Sequence, residues 1–127
     1  MDKKRILIVD DEPDFGNMVK MILEHTNEYK VLALQDAKNL IYHVHAFNPQ
    51  CVLLDLLMPG IGGMEAIEIL NNDPVGKITP IIVLSALDKK TDKVKAFSLG
   101  VVDYLVKPVE NSQIIASIER AIKSKSV

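Results

Sequence analysis

Cysteine is almost absent from this chain of 127 residues, and there is no marked excess of charge of either sign. The single cysteine, Cys51, excludes an internal disulfide and every zinc site built from several cysteines, which favours a reducing, cytoplasmic setting. The 15 basic and 17 acidic residues give a formal net charge of −2, so no strong overall field draws the chain to nucleic acid or to an anionic membrane. Long apolar runs are also missing. The first run, at 6–9, is too short for a signal-peptide core or a membrane span. We therefore expect a cytoplasmic protein that binds neither nucleic acid nor membrane through this domain.

The length and the 48% of hydrophobic residues allow one substantial core, and we expect a single domain over 1–127 with its core at about 4–122. Short, continuous apolar runs alternate with segments whose apolar residues recur at helical spacing. Continuous runs of this kind are typical of strands that are buried on both faces. The predicted strands lie at 6–9, 31–34, 52–54, 81–84 and 101–106, and the predicted helices carry apolar stripes at 15–23, 37–44, 64–70, 94–97 and 114–122.

Five repeats of a strand followed by a helix predict an α/β fold with a parallel sheet covered on both faces, because parallel strands need crossover connections. In such a sheet, ligands bind at the edge formed by the carboxyl ends of the strands. The polar residues that directly follow the apolar runs therefore belong to one candidate site. They are Asp10, Asp11, Glu12, Asp55, Ser85 and Lys107.

Several carboxylates of this set are expected to converge at a partly buried edge. Two unit charges ~4 Å apart interact by ~1 kcal/mol in water and by ~4 kcal/mol at an effective dielectric constant of ~20, so the acids repel one another appreciably. A hard divalent cation such as Mg²⁺ offsets this repulsion, because it prefers oxygen ligands. Taken alone, Asp10 and Asp11 are more simply explained as caps of the helix that begins near Pro13.

Asp55 is harder to explain as a helix cap, because it directly follows a buried strand. A carboxylate at this position can attack phosphorus when a cation neutralises the incoming phosphoryl oxygens. Lys107 adds a second positive charge, and the hydroxyl of Ser85 can donate a hydrogen bond to a phosphoryl oxygen. Individually, Lys107 is explained as a solvated lysine and Ser85 as an ordinary strand end. The set of residues carries the inference, and no single member does.

Four segments of the chain resemble the response-regulator receiver family, and the resemblance extends from about residue 4 to residue 122. Residues 6–12 resemble the family's first strand and acid pair, and residues 55–59 with Gly63 resemble its phosphoacceptor loop. Residues 85–86 and 103–108 resemble the ends of its fourth and fifth strands. The resemblance implies a doubly wound, flavodoxin-like sheet of five parallel strands in the order 2-1-3-4-5, with five helices.

The resemblance also implies the roles of the site residues. Asp55 would accept a phosphoryl group from a phosphohistidine on a sensor histidine kinase or a histidine phosphotransfer protein, while Ser85 and Lys107 hold phosphoryl oxygens. The implied ligands of Mg²⁺, or of Mn²⁺, are Asp11, Asp55, the backbone carbonyl of Leu57 and, through water, Asp10. The protein is then a phosphoacceptor switch and not an enzyme, beyond catalysing its own phosphotransfer and slow dephosphorylation.

The resemblance further implies how the signal leaves the domain. The side chain of Ser85 moves toward the phosphoryl group and the aromatic ring of Tyr104 turns inward, which alters the face formed by helix 4, strand 5 and helix 5. This face would contact a downstream protein or a fused output domain, or form a phosphorylation-dependent homodimer. Val101 and Val102 stand where many relatives carry a small residue followed by an acid, so the dimer geometry stays open.

Two further expectations concern the loops around the site. Leu57 and Leu87 lie two residues beyond Asp55 and Ser85, where some relatives place polar groups that orient the hydrolytic water. Their apolar side chains predict a comparatively long-lived phosphoryl group. By the same resemblance, the peptide bond before Pro108 is expected to be cis.

Other interpretations compete with this one. A flavodoxin-like cofactor binder needs a Ser/Thr/Gly loop after the first strand, where this chain has three acids that would repel a phosphate lacking a metal. A phosphatase with an aspartyl-phosphate intermediate typically has its nucleophile after the first strand and a second acid two residues on, and Asp11 with Pro13 does not supply that pattern. A docking module without phosphotransfer is disfavoured because the acids, the hydroxyl and the lysine are all present. The chain can also be a receiver module cut from a longer regulator with a DNA-binding, cyclase or hybrid kinase output.

Overall fold

The computed structural model describes residues 2–125 of the chain. The strands are β1 (Lys4–Val9), β2 (Tyr29–Leu34), β3 (Cys51–Leu54), β4 (Ile81–Ser85) and β5 (Asp103–Val106). The helices are α1 (Pro13–His25), α2 (Leu40–Phe47), α3 (Gly63–Asn71), α4 (Lys90–Ser98) and α5 (Asn111–Lys125), and a short 3₁₀ turn at Gly76–Ile78 precedes β4. The strict alternation of strand and helix is the predicted one.

The five strands form one sheet in the order β2-β1-β3-β4-β5, and every pair of neighbours is parallel. The predicted fold class and strand order are therefore confirmed. In the centre of the sheet, Val9 at the end of β1 lies between Leu34 on β2 and Leu54 on β3. The carboxyl ends of these three strands are consequently level, and the residues that follow them begin at the same edge.

The continuous apolar run of β1 is explained by two cores, one on each face of the sheet. Leu7 and Val9 point into a core that includes buried residues of α2, α3 and α4. Ile6 and Ile8 point into a second core, which includes buried residues of α1 and α5. Within residues 2–125, none of these helices has the length and apolarity needed to cross a membrane.

Several element boundaries differ from the predicted ones by one or more residues, and three of these differences have a local explanation. Strand β2 begins at Tyr29, two residues before the predicted run. The apolar pattern missed this start because the exposed Lys30 interrupts it in this edge strand. Helix α2 begins only after Asn39, whose φ of 59° places it in the left-handed region. Strand β5 begins at Asp103, so that Val102, which is 41% exposed, precedes the strand although its N–H donates to the carbonyl of Ile81.

Candidate functional site

The backbone fixes the first residue after each central strand at the carboxyl edge of the sheet. The N–H of Asp10 donates to the carbonyl of Leu34 at 3.0 Å, and the N–H of Asp55 donates to the carbonyl of Val9 at 3.0 Å. Both aspartates thus continue the pairing of the parallel strands by one residue. Their carboxyl groups are held at the sheet edge by main-chain hydrogen bonds, and both side chains are almost fully buried.

Four acidic side chains meet at this edge. One carboxylate oxygen from each of Asp10, Asp11, Glu12 and Asp55 lies within 4.8 Å of the other three. Asp10 and Asp55 are 2% and 4% exposed, whereas Glu12 is exposed. A donor set made only of oxygens at this spacing suits a hard divalent cation of the Mg²⁺ class, which typically takes one or two carboxylates and keeps several waters. The predicted acids therefore come together as a set that fits such an ion.

Lys107 lies against this acidic group. Its ammonium nitrogen is 2.7 Å from Asp10 Oδ2, 3.4 Å from Glu12 Oε1 and 3.5 Å from Asp55 Oδ2. The N–H of Lys107 donates to the carbonyl of Ser85, which anchors the residue one position beyond the end of β5. The peptide bond between Lys107 and Pro108 is cis, as expected.

Burial and crowding shift the pKa values of this pair. Burial of the Asp10 carboxyl raises its pKa and outweighs the hydrogen bond from Lys107, and the nearby charge of Asp55 acts in the same direction as burial. Burial would lower the pKa of Lys107, but the hydrogen bond to Asp10 and the charges of Asp55, Asp10 and Glu12 together raise it. The pKa values of Asp10 and Lys107 are both raised, and these shifts are compatible because one ammonium faces several carboxylates. The ammonium stays charged, while the negative charge of the group is only partly offset.

Ser85 and Tyr104 lie on the adjoining strands. Ser85 is the last residue of β4 and is fully buried, and its Oγ accepts a hydrogen bond from the N–H of Leu87 at 3.3 Å. The hydroxyl of Tyr104 on β5 donates to the carbonyl of Leu87 at 2.8 Å, and the ring is partly buried. Both side chains therefore contact the loop between β4 and α4. A displacement of that loop would affect them together.

The loop after β3 shapes the surroundings of Asp55. The N–H of Leu57 donates to Asp55 Oδ1 at 3.1 Å, which orients the carboxylate, and the Leu57 side chain is 51% exposed. Helix α3 begins at Gly63, directly against the loop backbone. A Cβ atom at Gly63 would lie 2.4 Å from Leu56 Cα and 2.6 Å from the carbonyl oxygen of Asp55. Only glycine therefore fits there without moving the segment that carries the candidate nucleophile.

The structure adds one residue to the site that sequence patterns did not assign, and it shows the contact made by another. Glu12, which the sequence places at this edge without a role of its own, belongs to the acidic group and faces Lys107. Phe15 places its aromatic ring 4.1 Å from the Lys107 ammonium, measured to the ring centroid. Its position in the apolar stripe of α1 predicted burial but not this contact. A signal was available for Glu12 in the run of three acids after β1, and none for Phe15.

Comparisons with known proteins agree with this geometry. The model of the family described as "Response regulator receiver domain" matches residues 6–119. The chain is 32% identical over 119 residues to Protein PilH of Pseudomonas aeruginosa, covering 93% of this chain and 97% of that protein. It is 28% identical over 120 residues to the phosphate regulon transcriptional regulatory protein PhoB of Klebsiella pneumoniae, covering 94% of this chain and 52% of that protein. The chain thus spans about half the length of several curated relatives that it matches, and nearly all of PilH.

Solved structures lead to the same family. The receiver domain of the Francisella response regulator 1452 superimposes with a TM-score of 0.86 at 25% identity, covering 96% of this chain and 98% of that one. The chemotaxis protein CheY4 of Vibrio cholerae superimposes with a TM-score of 0.88 at 22% identity, covering 94% and 99%, which supports the fold alone. Together with the family match, the comparisons establish that this chain belongs to the response regulator receiver domain family of two-component signalling.

Proposed function

We propose that this chain is a phosphorylation-activated signalling switch of the cytoplasm, in which Asp55 accepts a phosphoryl group. The donor would be the phosphohistidine of a sensor histidine kinase or of a histidine phosphotransfer protein. One observation carries the proposal: the Asp55 carboxylate is 4% exposed, lies 3.5 Å from the Lys107 ammonium and shares an acidic group with Asp10 and Asp11. A nucleophile, a fixed cation and a donor set for a metal ion are what phosphoryl transfer to a carboxylate requires.

In the proposed transfer, a carboxylate oxygen of Asp55 attacks the phosphorus atom. A new P–O bond forms, the P–N bond to the histidine ring breaks, and the ring nitrogen leaves with the electron pair of that bond. The Lys107 ammonium and the Ser85 hydroxyl would each donate to a phosphoryl oxygen. Mg²⁺ or Mn²⁺ neutralises phosphoryl charge when bound, and Asp11, Asp55 and the Leu57 carbonyl would hold it, with Asp10 acting through water. The protein would act as a phosphoacceptor, with no substrate besides its own phosphodonor.

The proposed output passes through the loop that Ser85 and Tyr104 both contact. Movement of Ser85 toward a phosphoryl group would shift this loop, because its Oγ accepts the N–H of Leu87. Tyr104 donates its hydroxyl to the carbonyl of the same residue, so its ring would respond to that shift. The altered surface would be the face of α4, β5 and α5. Its partner would be a downstream protein, a fused output domain or, after phosphorylation, a second copy of the chain.

The relatives suggest two settings for such a switch. PhoB, a transcriptional regulatory protein, is about twice the length of the matched segment, which favours a fused output, whereas PilH is matched over nearly its whole length, which favours a free-standing receiver. In either setting, we propose that residues 1–127 form one receiver domain. The exposed, apolar Leu57 offers no polar group to orient an attacking water, which supports a long-lived phosphoryl group.

Incubation with acetyl phosphate and Mg²⁺, followed by mass measurement of the intact chain, tests the phosphoacceptor. We expect one added phosphoryl group on the wild type, none on Asp55→Asn, and one on the control Asp2→Asn, whose aspartate is exposed near the amino end of β1. Phosphorylation of Asp55→Asn would show that the nucleophile lies elsewhere. A folded wild type that stays unmodified would favour the alternative of a docking module without phosphotransfer.

A further inference from the structure

The ammonium of Lys107 is held by more than its ion pairs. It contacts three carboxylates, at 2.7 Å for Asp10, 3.4 Å for Glu12 and 3.5 Å for Asp55, and it also lies 4.1 Å from the centroid of the Phe15 ring. The lysine side chain is 13% exposed. Lysine has a flexible stem of four carbons and loses considerable rotamer freedom when it is fixed, so such a placement needs several supports.

We propose that Phe15 is a positioning residue for the phosphoryl site, which holds the ammonium of Lys107 beside Asp55 before a phosphoryl group arrives. The inference rests on the proposed function and assigns to Phe15 a role that it performs through Lys107. An aromatic face attracts a cation through its quadrupole, and the attraction is strongest where water is excluded. The ring therefore keeps the ammonium in place without competing for its three N–H donors.

The location of Phe15 in the chain supports this role. It lies in the first turn of α1, which starts three residues after Asp10, so the same short segment that supplies the acids supplies the ring. Phe15 is partly buried and also packs against the core between α1, α5 and the sheet. That packing fixes the ring, and a fixed ring can restrain a flexible lysine. A leucine at this position would keep the apolar packing and lose the aromatic face.

The ion pairs alone would not fix Lys107 at Asp55. The shortest contact of the ammonium is to Asp10, and its contact with Asp55 is 0.8 Å longer than that, from 2.7 to 3.5 Å. When a phosphoryl group forms on Asp55, the ammonium has to turn toward it. A cation held against a ring face can turn toward a new acceptor while keeping the ring contact, because the cation–π attraction is broad in angle compared with a hydrogen bond.

The variant Phe15→Leu tests the proposal, with fluoroberyllate as the phosphoryl mimic and Mg²⁺ in excess on the intact chain. We expect the affinity for fluoroberyllate and the rate of phosphorylation by acetyl phosphate each to fall about three- to tenfold, the range of a partly desolvated cation–π contact. The affinity for Mg²⁺ alone should not weaken, because the ammonium opposes the metal ion. The variant Phe15→Tyr retains an aromatic ring, so its fluoroberyllate affinity and phosphorylation rate should stay near the wild-type values. Met18→Leu, one turn further along α1 and 41% exposed, is the matched control and should change neither affinity.

A second arm separates positioning from general damage to the fold. In the background Lys107→Met, adding Phe15→Leu should produce no further loss of fluoroberyllate affinity, because the ring then has no cation to hold. An equal loss in both backgrounds, or parallel weakening of Mg²⁺ binding, would overturn the proposal. Wild-type affinity in Phe15→Leu would also overturn it while leaving the proposed function intact. A wild type that binds no fluoroberyllate at all would instead defeat the proposed function, and this inference with it.

Discussion

Charged and polar side chains lie at both ends of the sheet, but the two ends differ in how many acidic groups share each cation. At the amino end, Lys4 donates to both carboxylate oxygens of Glu119, at 3.0 and 2.8 Å, and the hydroxyl of Tyr29 donates to the same carboxylate. At the carboxyl end, four carboxylates meet, and three of them, those of Asp10, Glu12 and Asp55, contact one ammonium, that of Lys107. One acid is matched by two donors in the first case, and several acids share one cation in the second.

This contrast separates a structural contact from a site that is poised to bind. The hydrogen bonds from Lys4 and Tyr29 lower the pKa of Glu119, so its ionised form is stabilised in the folded chain. Burial raises the pKa of Asp10, so its ionised form is costly there despite the ion pair. At the amino end, the ionised carboxylate of Glu119 is stabilised by its two donors, whereas at the carboxyl end an added cation would further stabilise the ionised carboxylates. An excess of buried charge that the fold tolerates is a common mark of functional sites.

The largest effect is expected from removing each lysine in turn. Lys107→Met leaves the buried Asp10 and Asp55 without their cation, and we expect a loss of on the order of 3 kcal/mol in the free energy of unfolding of the metal-free protein. Lys4→Met removes a pair whose side chains are 34% and 42% exposed, so a loss of about 1 kcal/mol or less is expected. Urea unfolding with a chelator present measures both. Equal losses at the two ends would contradict the electrostatic difference between them.

A smaller effect, about 1–3 kcal/mol, is expected from overpacking the loop after β3 with Gly63→Ala. The added Cβ would lie 2.4 Å from Leu56 Cα, so the backbone next to Asp55 must shift. Phosphorylation by acetyl phosphate should slow in the same variant. The neighbouring Gly62→Ala is the control, because a Cβ there meets nothing within 4 Å and its φ of −73° suits any residue. If Gly62→Ala slowed phosphorylation as much, the close approach at Gly63 would not be the cause.

The sheet and the set of residues at its edge could be predicted because both follow from the spacing of apolar residues along the chain and from the parallel order of the strands. Apolar runs of four residues locate the strands, and parallel pairing brings their carboxyl ends to one edge whatever the loops contain. Asp10, Asp55, Ser85 and Lys107 were therefore predicted correctly as neighbours of this edge. The start of α2 was not, since the left-handed conformation of Asn39 has no counterpart in the apolar spacing.

Contacts between side chains at the site were beyond the reach of the sequence. The spacing places Phe15 on the inward stripe of α1, but a stripe spans a wide arc and does not specify which residue its first turn contacts. The preference of Lys107 for Asp10 over Asp55 depends on differences of less than 1 Å between ammonium–oxygen distances, 2.7 and 3.5 Å. Such differences depend on how the strands and loops pack against one another, which local sequence patterns do not predict.

The smallest expected effect is a difference of sign in the pH dependence of stability at the two ends of the sheet. The pKa of Glu119 is lowered from its ordinary value of 4.5, so its stabilising contribution is complete above that pH and is lost as the pH falls through the folded value. The pKa of Asp10 is raised from 3.8, so its ionised form costs stability at neutral pH, and the cost is relieved as the pH falls.

Unfolding in urea with a chelator, from pH 7 down to pH ~3, compares the two ends of the sheet. Glu119→Gln should lose stability with acid less steeply than the wild type, and Asp10→Asn more steeply, each by about 1 kcal/mol or less across the range. Slopes that change in the same direction would mean that the Asp10 carboxylate is stabilised by its lysine as fully as Glu119 is by Lys4 and Tyr29, and the electrostatic contrast between the two ends would fail.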